Sequence, residues 1–105
     1  MKITMSEQVL RGNFAGNTDE ENQKYAENYV VAVKQRLAEY CTANYPDAEV
    51  EIDLYIDRAS GCARGFEVEV ITDDGGLDTE IAREIESRFE FITDEIERSG
   101  EIYED

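Results

Sequence analysis

The chain has 105 residues and a formal net charge of −16, from 26 acidic and 10 basic residues, with no histidine and no tryptophan. A chain of this length holds one domain with a single core and is too short for two. The lack of histidine removes the usual general base, the Ser-His and Cys-His nucleophile pairs and the commonest transition-metal ligand. A field this negative repels nucleic acid and anionic lipid and attracts basic surfaces.

The charge is unevenly placed. Residues 47–105 carry twenty acids against five arginines and residues 1–46 six acids against five bases, so fifteen of the sixteen net charges fall in the second part. Hydrophobic residues make up 41% of the chain and recur with clear periods, which predicts a packed core rather than a disordered acidic tail. No apolar run approaches the roughly 20 residues that span a bilayer, and the first residues, MKITM, lack the apolar stretch of a signal peptide, so a cytoplasmic protein is expected.

Residues 1–16 (MKITMSEQVLRGNFAG) place Ile3, Met5, Val9, Leu10 and Phe14 in a loose alternation, which predicts one strand; its place at the edge or middle of a sheet stays open. Thr18-Asp19-Glu20-Glu21 is a T-x-x-E capping box with acids at the positive end of the helix dipole, so a helix begins there. Its apolar stripe is Tyr25, Tyr29, Val33, Leu37, Tyr40 and Cys41, and Pro46 marks where it must already have ended.

Residues 48–57 alternate without a break, with Ala48, Val50, Ile52, Leu54 and Ile56 on one face and Glu49, Glu51, Asp53, Tyr55 and Asp57 on the other. After a loop over 58–65 (RASGCARG), Phe66, Val68 and Val70 alternate with Glu67, Glu69 and Ile71, so these two strands are expected to form a hairpin with a long loop. Asp73-Asp74-Gly75-Gly76 breaks the chain. Asp78 or a neighbour caps a second helix, which runs to about Arg98 on a stripe of Ile81, Ile85, Phe89, Ile92 and Ile96. Residues 101–105 read as a mobile tail.

The order β-α-β-β-α, with one-sided strands and helices, predicts an α+β two-layer sandwich: a small, mainly antiparallel sheet with both helices on one face. The opposite face is then open, and Glu49, Glu51, Asp53, Asp57, Glu67 and Glu69 project from it. In a hairpin, Asp53 opposes Glu69 or Asp57 opposes Glu67, pairs in a range worth about 0.2–1 kcal/mol and here repulsive. A face meant only for solubility more often interleaves lysine and threonine, so this one is read as a binding face, with Asp73 and Asp74 at its margin. Glu86, Glu90, Asp94 and Glu97 on the second helix are a secondary candidate. They need less explanation, because Glu84 with Arg88 and Asp94 with Arg98 have ordinary i,i+4 spacing.

Other chemistries fit poorly. An EF-hand loop from Asp73 meets Gly75 and Leu77 where oxygen ligands are required. Cys41 and Cys62 lack metal-type spacing and read as a buried small hydrophobe and a loop thiol. Paired carboxylates for acid-base work need a concave pocket that a chain this small has little room to build. No enzyme, cofactor or metal is expected.

In size, acidity and absence of catalytic motifs, with acids on Glu49-x-Glu51-x-Asp53, Glu67-x-Glu69, Asp73-Asp74 and the outward side of the second helix, the chain resembles small acidic phage anti-CRISPR proteins of the nucleic-acid-mimic type. No diagnostic motif carries this resemblance. It implies a host-cytoplasm inhibitor that evades host defence by covering the lysine- and arginine-rich DNA-binding surface of a CRISPR effector, with a type I complex favoured; Tyr55 and Ile71 on the open face leave both a monomer and a homodimer open. Two alternatives stay open: an immunity protein that neutralises a basic toxin nuclease, and a domain adapted to high salt, against which the near-neutral first 46 residues count.

Overall fold

A computed structural model describes residues 1–59 and 61–104. Ser60, in the predicted loop, and Asp105, at the end of the predicted tail, lie outside the described residues. The first strand, β1 (Lys2–Leu10), buries Ile3, Met5 and Val9 and then passes into a 3₁₀ turn at Arg11–Asn13. The alternation looked loose because Glu7 occupies an inward slot. Its Oε1 accepts a 2.8 Å hydrogen bond from the Tyr29 hydroxyl, and burial raises its carboxyl pKa, partly offset by that bond. Burial, followed by the nearby Glu7 charge, likewise pushes the Tyr29 phenol upward.

Helix α1 (Asp19–Asn44) starts at the expected box. Thr18 Oγ1 accepts from Glu21 N at 3.1 Å, and Glu21 Oε2 accepts in return from Asn17 N at 3.0 Å. Together these satisfy two amide donors at the helix entrance. Val33, Leu37 and Cys41 are fully buried, as is Ala26, whose small side chain gave no periodic signal. The helix closes before Pro46, with Tyr45 N donating to Cys41 O at 2.7 Å. Strands β2 (Glu49–Asp57) and β3 (Glu67–Ile71) follow, then α2 (Thr79–Ser99). Asp78 Oδ1 caps α2 at Ile81 N, 3.1 Å away, and Gly100 ends it in the left-handed region that glycine adopts without a Cβ penalty.

The α+β architecture and element order are as expected, but the sheet is mixed and the hairpin is absent. The strand order is β2-β1-β3, with β1 parallel to β2 and antiparallel to β3. Parallel neighbours need a long crossover, which α1 supplies. The β2–β3 connection is too long to force adjacency and instead passes the end of β1. Gly12 N donates to Ala59 O at 3.1 Å, Gln8 N to Arg64 O at 3.3 Å, and Asn13 exchanges two hydrogen bonds with the Gly61 backbone.

Both helices cover the inward face, where Ile3, Met5, Leu54 and Val70 meet Val33, Leu37, Ile85, Ile92 and Ile96 in one cluster. Residues 101–103, expected as part of a mobile tail, are held against this layer. Glu101–Tyr103 form a 3₁₀ turn, Ile102 is 6% exposed, and its carbonyl accepts from Asn28 Nδ2 at 2.9 Å. Arg36 pairs with Glu101 at 2.7 Å, and Tyr103 packs edge-on against Tyr25. A single aliphatic residue in a five-residue tail is a weak sequence signal, yet here it closes the end of the core. No helix among the described residues is long and apolar enough to cross a membrane.

Candidate interaction face

The uncovered side of the sheet is built in rows fixed by the ladder. Lys2 lies between Glu49 and Ile71, Thr4 between Glu51 and Glu69, and Ser6 between Asp53 and Glu67. Beyond them Gln8 neighbours Tyr55 and Leu10 neighbours Asp57. Glu49, Glu51, Asp53, Glu67 and Glu69 are all exposed and share this surface. They do not oppose one another directly, which corrects the expected pairing of Asp53 with Glu69 or Asp57 with Glu67. The acids form two rails, Glu49-Glu51-Asp53 on β2 and Glu67-Glu69 on β3, with a central row of Thr4 and Ser6.

The separation of the rails decides their cost. Two inter-strand spacings put them about 9.6 Å apart, against about 4.8 Å for adjacent strands. At the larger distance two unit charges in water repel by about 0.4 kcal/mol, and salt with a screening length of about 8 Å reduces this further. The face is therefore cheaper to maintain than a hairpin with opposed acids. Thr4 and Ser6 are short, so the carboxylates stand above an uncharged floor. The one cation in the rows is Lys2, whose Nζ lies 3.9 Å from Glu51 Oε2 with both side chains exposed; such a contact contributes little.

The remaining candidate acids are committed elsewhere. Asp57 lies on the same face but is tied to the strand end: Gln8 Nε2 donates to its Oδ2 at 3.0 Å and Ala59 N to its Oδ1 at 3.2 Å. Asp73 pairs with the Met1 amino group. Asp74 receives the Thr72 hydroxyl and, at 3.1 Å, the Gly76 amide, and these bonds hold its carboxyl below the usual range. Asp73 and Asp74 thus belong to a turn over 72–76, in which Gly75 takes a positive φ of 88°.

Glu86, Glu90, Asp94 and Glu97 are exposed on α2, in the other layer, and do not join the rails. Asp94 pairs with Arg98 at 3.2 Å. The predicted Glu84–Arg88 pairing is redistributed: Glu84 accepts from the Tyr45 hydroxyl at 2.6 Å, while Arg88 lies over the Phe91 and Tyr40 rings. Cys41 is buried, and burial raises its thiol pKa, whereas Cys62 is exposed in the 58–65 loop. Among the described residues, no group of three or more His, Cys, Asp or Glu side chains is placed to hold a metal ion.

The central row is absent from the candidate residues of the sequence. Its signal was present, because Lys2, Thr4, Ser6 and Gln8, the outward residues of the first strand, include no acid while those of the other two strands are mostly acidic. The fold and face define a small two-layer α+β protein with a paired acidic ridge. No protein-family model, no curated protein and no solved structure matches the chain.

Proposed function

We propose that this protein is a non-enzymatic inhibitor whose open sheet face occupies a basic, phosphate-binding surface of a nucleic-acid-binding protein. One observation carries the reading: two exposed carboxylate rails flank an acid-free row in a geometry fixed by backbone hydrogen bonds. The rail separation of about 9.6 Å falls between the widths of the minor groove, about 6 Å, and the major groove, about 12 Å. Arginine forks bind carboxylates bidentately much as they bind phosphates, so lysines and arginines arrayed for a duplex meet comparable partners here. Complementary fields would speed the encounter and make it salt-sensitive. The resemblance to anti-CRISPR proteins makes the DNA-binding surface of a CRISPR effector, in the host cytoplasm, the favoured target.

Affinity capture from a bacterial lysate tests this. The immobilised protein is expected to retain a basic nucleic-acid-binding protein that either high salt or an excess of duplex DNA releases. A variant with Glu49, Glu51, Asp53, Glu67 and Glu69 changed to lysine should retain none of it. Equal capture by that variant, or retention that duplex DNA does not compete away, would overturn the proposal.

A further inference from the structure

Among the described residues, no backbone hydrogen bond is made to the outer edge of β2. Glu49 N donates to Met1 O at 2.9 Å, toward β1. Backbone groups alternate in direction along a strand, so Glu49, Glu51, Asp53, Tyr55 and Asp57 turn theirs toward β1, while the amides and carbonyls of Val50, Ile52, Leu54 and Ile56 face the free edge. The edge keeps an unbroken register for nine residues and contains neither proline nor glycine. Short length, bulges and proline are the usual guards against strand pairing, and only charge guards this edge.

The other edge of the sheet differs. β3 has five residues, and the C-terminal end of its outer side is used by the chain itself: Ile71 bridges to Leu77, and Asp78 N donates to Val70 O at 2.9 Å. At β2, by contrast, Val50, Ile52 and Ile56 are only partly buried beneath the edge, while Glu49, Glu51, Asp53 and Asp57 stand above it. A strand added there would extend the apolar underside and meet the acids with alternate side chains. A second copy would bring carboxylates against carboxylates, a repulsive arrangement.

We infer that the β2 edge accepts, by strand addition, an extended segment of the partner protein in which lysine or arginine alternates with apolar residues. This rests on the proposed function and specifies the shape of part of the partner's surface: main-chain hydrogen bonds supply affinity and the alternate basic residues supply selectivity. Two contacts are thereby combined, a ladder along Val50 to Ile56 and ion pairs to the β2 rail.

The test uses the intact protein and a synthetic peptide of about nine residues with lysine alternating with valine. Binding should slow amide hydrogen exchange at Val50, Ile52, Leu54 and Ile56. Two versions of the peptide, N-methylated at one or the other alternate set of residues, keep the charge but remove donors from opposite edges. One should lose affinity by about tenfold or more, as expected from several absent hydrogen bonds, and the other should not. Salt-sensitive binding indifferent to both methylations would overturn strand addition while leaving the acidic face as a binding surface. Absence of peptide binding would overturn it as well. So would protection of the same four amides that depends on the concentration of the protein alone, which would assign the edge to a second copy. The capture experiment with charge-reversed protein stands or falls independently, so failure of the edge and failure of the face can be told apart.

Discussion

The open sheet face and the outer side of α2 carry similar complements of acids but hold them differently. On the sheet, Glu49, Glu51, Asp53, Glu67 and Glu69 share their rows with one cation, Lys2, and stand at positions set by the ladder. On α2, Glu86, Glu90, Asp94 and Glu97 are interleaved with Arg83, Arg88 and Arg98. Asp94 is paired with Arg98, and Arg88 is held over Tyr40 and Phe91. Formal charge along the chain therefore describes the field poorly. Interleaved opposite charges cancel within a screening length of about 8 Å, whereas two like-signed rails reinforce each other toward solvent.

The most direct way to break this comparison is to reverse charge on each surface separately. Changing Glu51, Asp53, Glu67 and Glu69 to lysine should weaken binding of the captured partner by up to about 4 kcal/mol, at up to about 1 kcal/mol per exposed ion pair, which is up to roughly a thousandfold in affinity. Changing Glu86, Glu90, Asp94 and Glu97 to lysine should alter affinity by less than about tenfold. Isothermal titration against the captured protein measures both. A larger loss from the α2 set would move the interaction to the helical layer.

The two surfaces were also unequally legible. The start and end of α1 and the N-cap of α2 could be read because their causes are local: Thr18 and Glu21 bond across a few residues, Pro46 cannot continue a helix, and Asp78 caps its own following turn. Strand order depends on contacts distant in sequence. A tight two-residue turn would have compelled β2 and β3 to pair. A connection as long as 58–66 imposes no such constraint, and the repulsion expected between Asp53 and Glu69 is a physical reason for them not to pair. With β1 between them, the acidic strands each gain a neighbour bearing Thr4, Ser6 and Gln8. The composition of the face was thus visible in the period of two, but its division into rails was not.

Structural changes remote from the rails sharpen the distinction between fold and site. Ile102→Ala removes the side chain that closes the end of the core and should lower stability to urea by about 3 kcal/mol. Partner affinity should be unchanged wherever the protein remains folded, because Ile102 lies in the helical layer. Gly16→Ala should cost less, about 2 kcal/mol, by overpacking. An added Cβ would meet Asn22 Oδ1 at 2.5 Å and Glu21 Cβ at 2.8 Å, and the Asn22 oxygen already accepts the Gly16 amide at 2.7 Å. The same urea titration checks it, and a loss below that of a surface substitution would show that the entrance to α1 is looser than its contacts imply.

Glu7 offers the finest comparison, since it is an acid on the same sheet that points to the opposite face. Its folded pKa is raised from 4.5, chiefly by burial. The folded state therefore binds more protons than the unfolded chain, and ∂ΔG/∂pH for unfolding is negative across the interval between the two values. The stabilising contribution of protonated Glu7 is complete below about 4.5, the unfolded value, and is lost as pH rises through the folded one. Glu7→Gln keeps an oxygen to accept the Tyr29 hydroxyl but carries no charge, so it should be more stable than the parent at pH 7 and lose that advantage on acidification to pH 4. Urea midpoints across this range measure the difference between the two proteins, in which the exposed carboxylates common to both largely cancel. Thr4→Gln, on the open face between Glu51 and Glu69, should show no such pH-dependent difference. If this neutral exchange matched the Glu7→Gln profile, the dependence would not come from the carboxyl removed at Glu7.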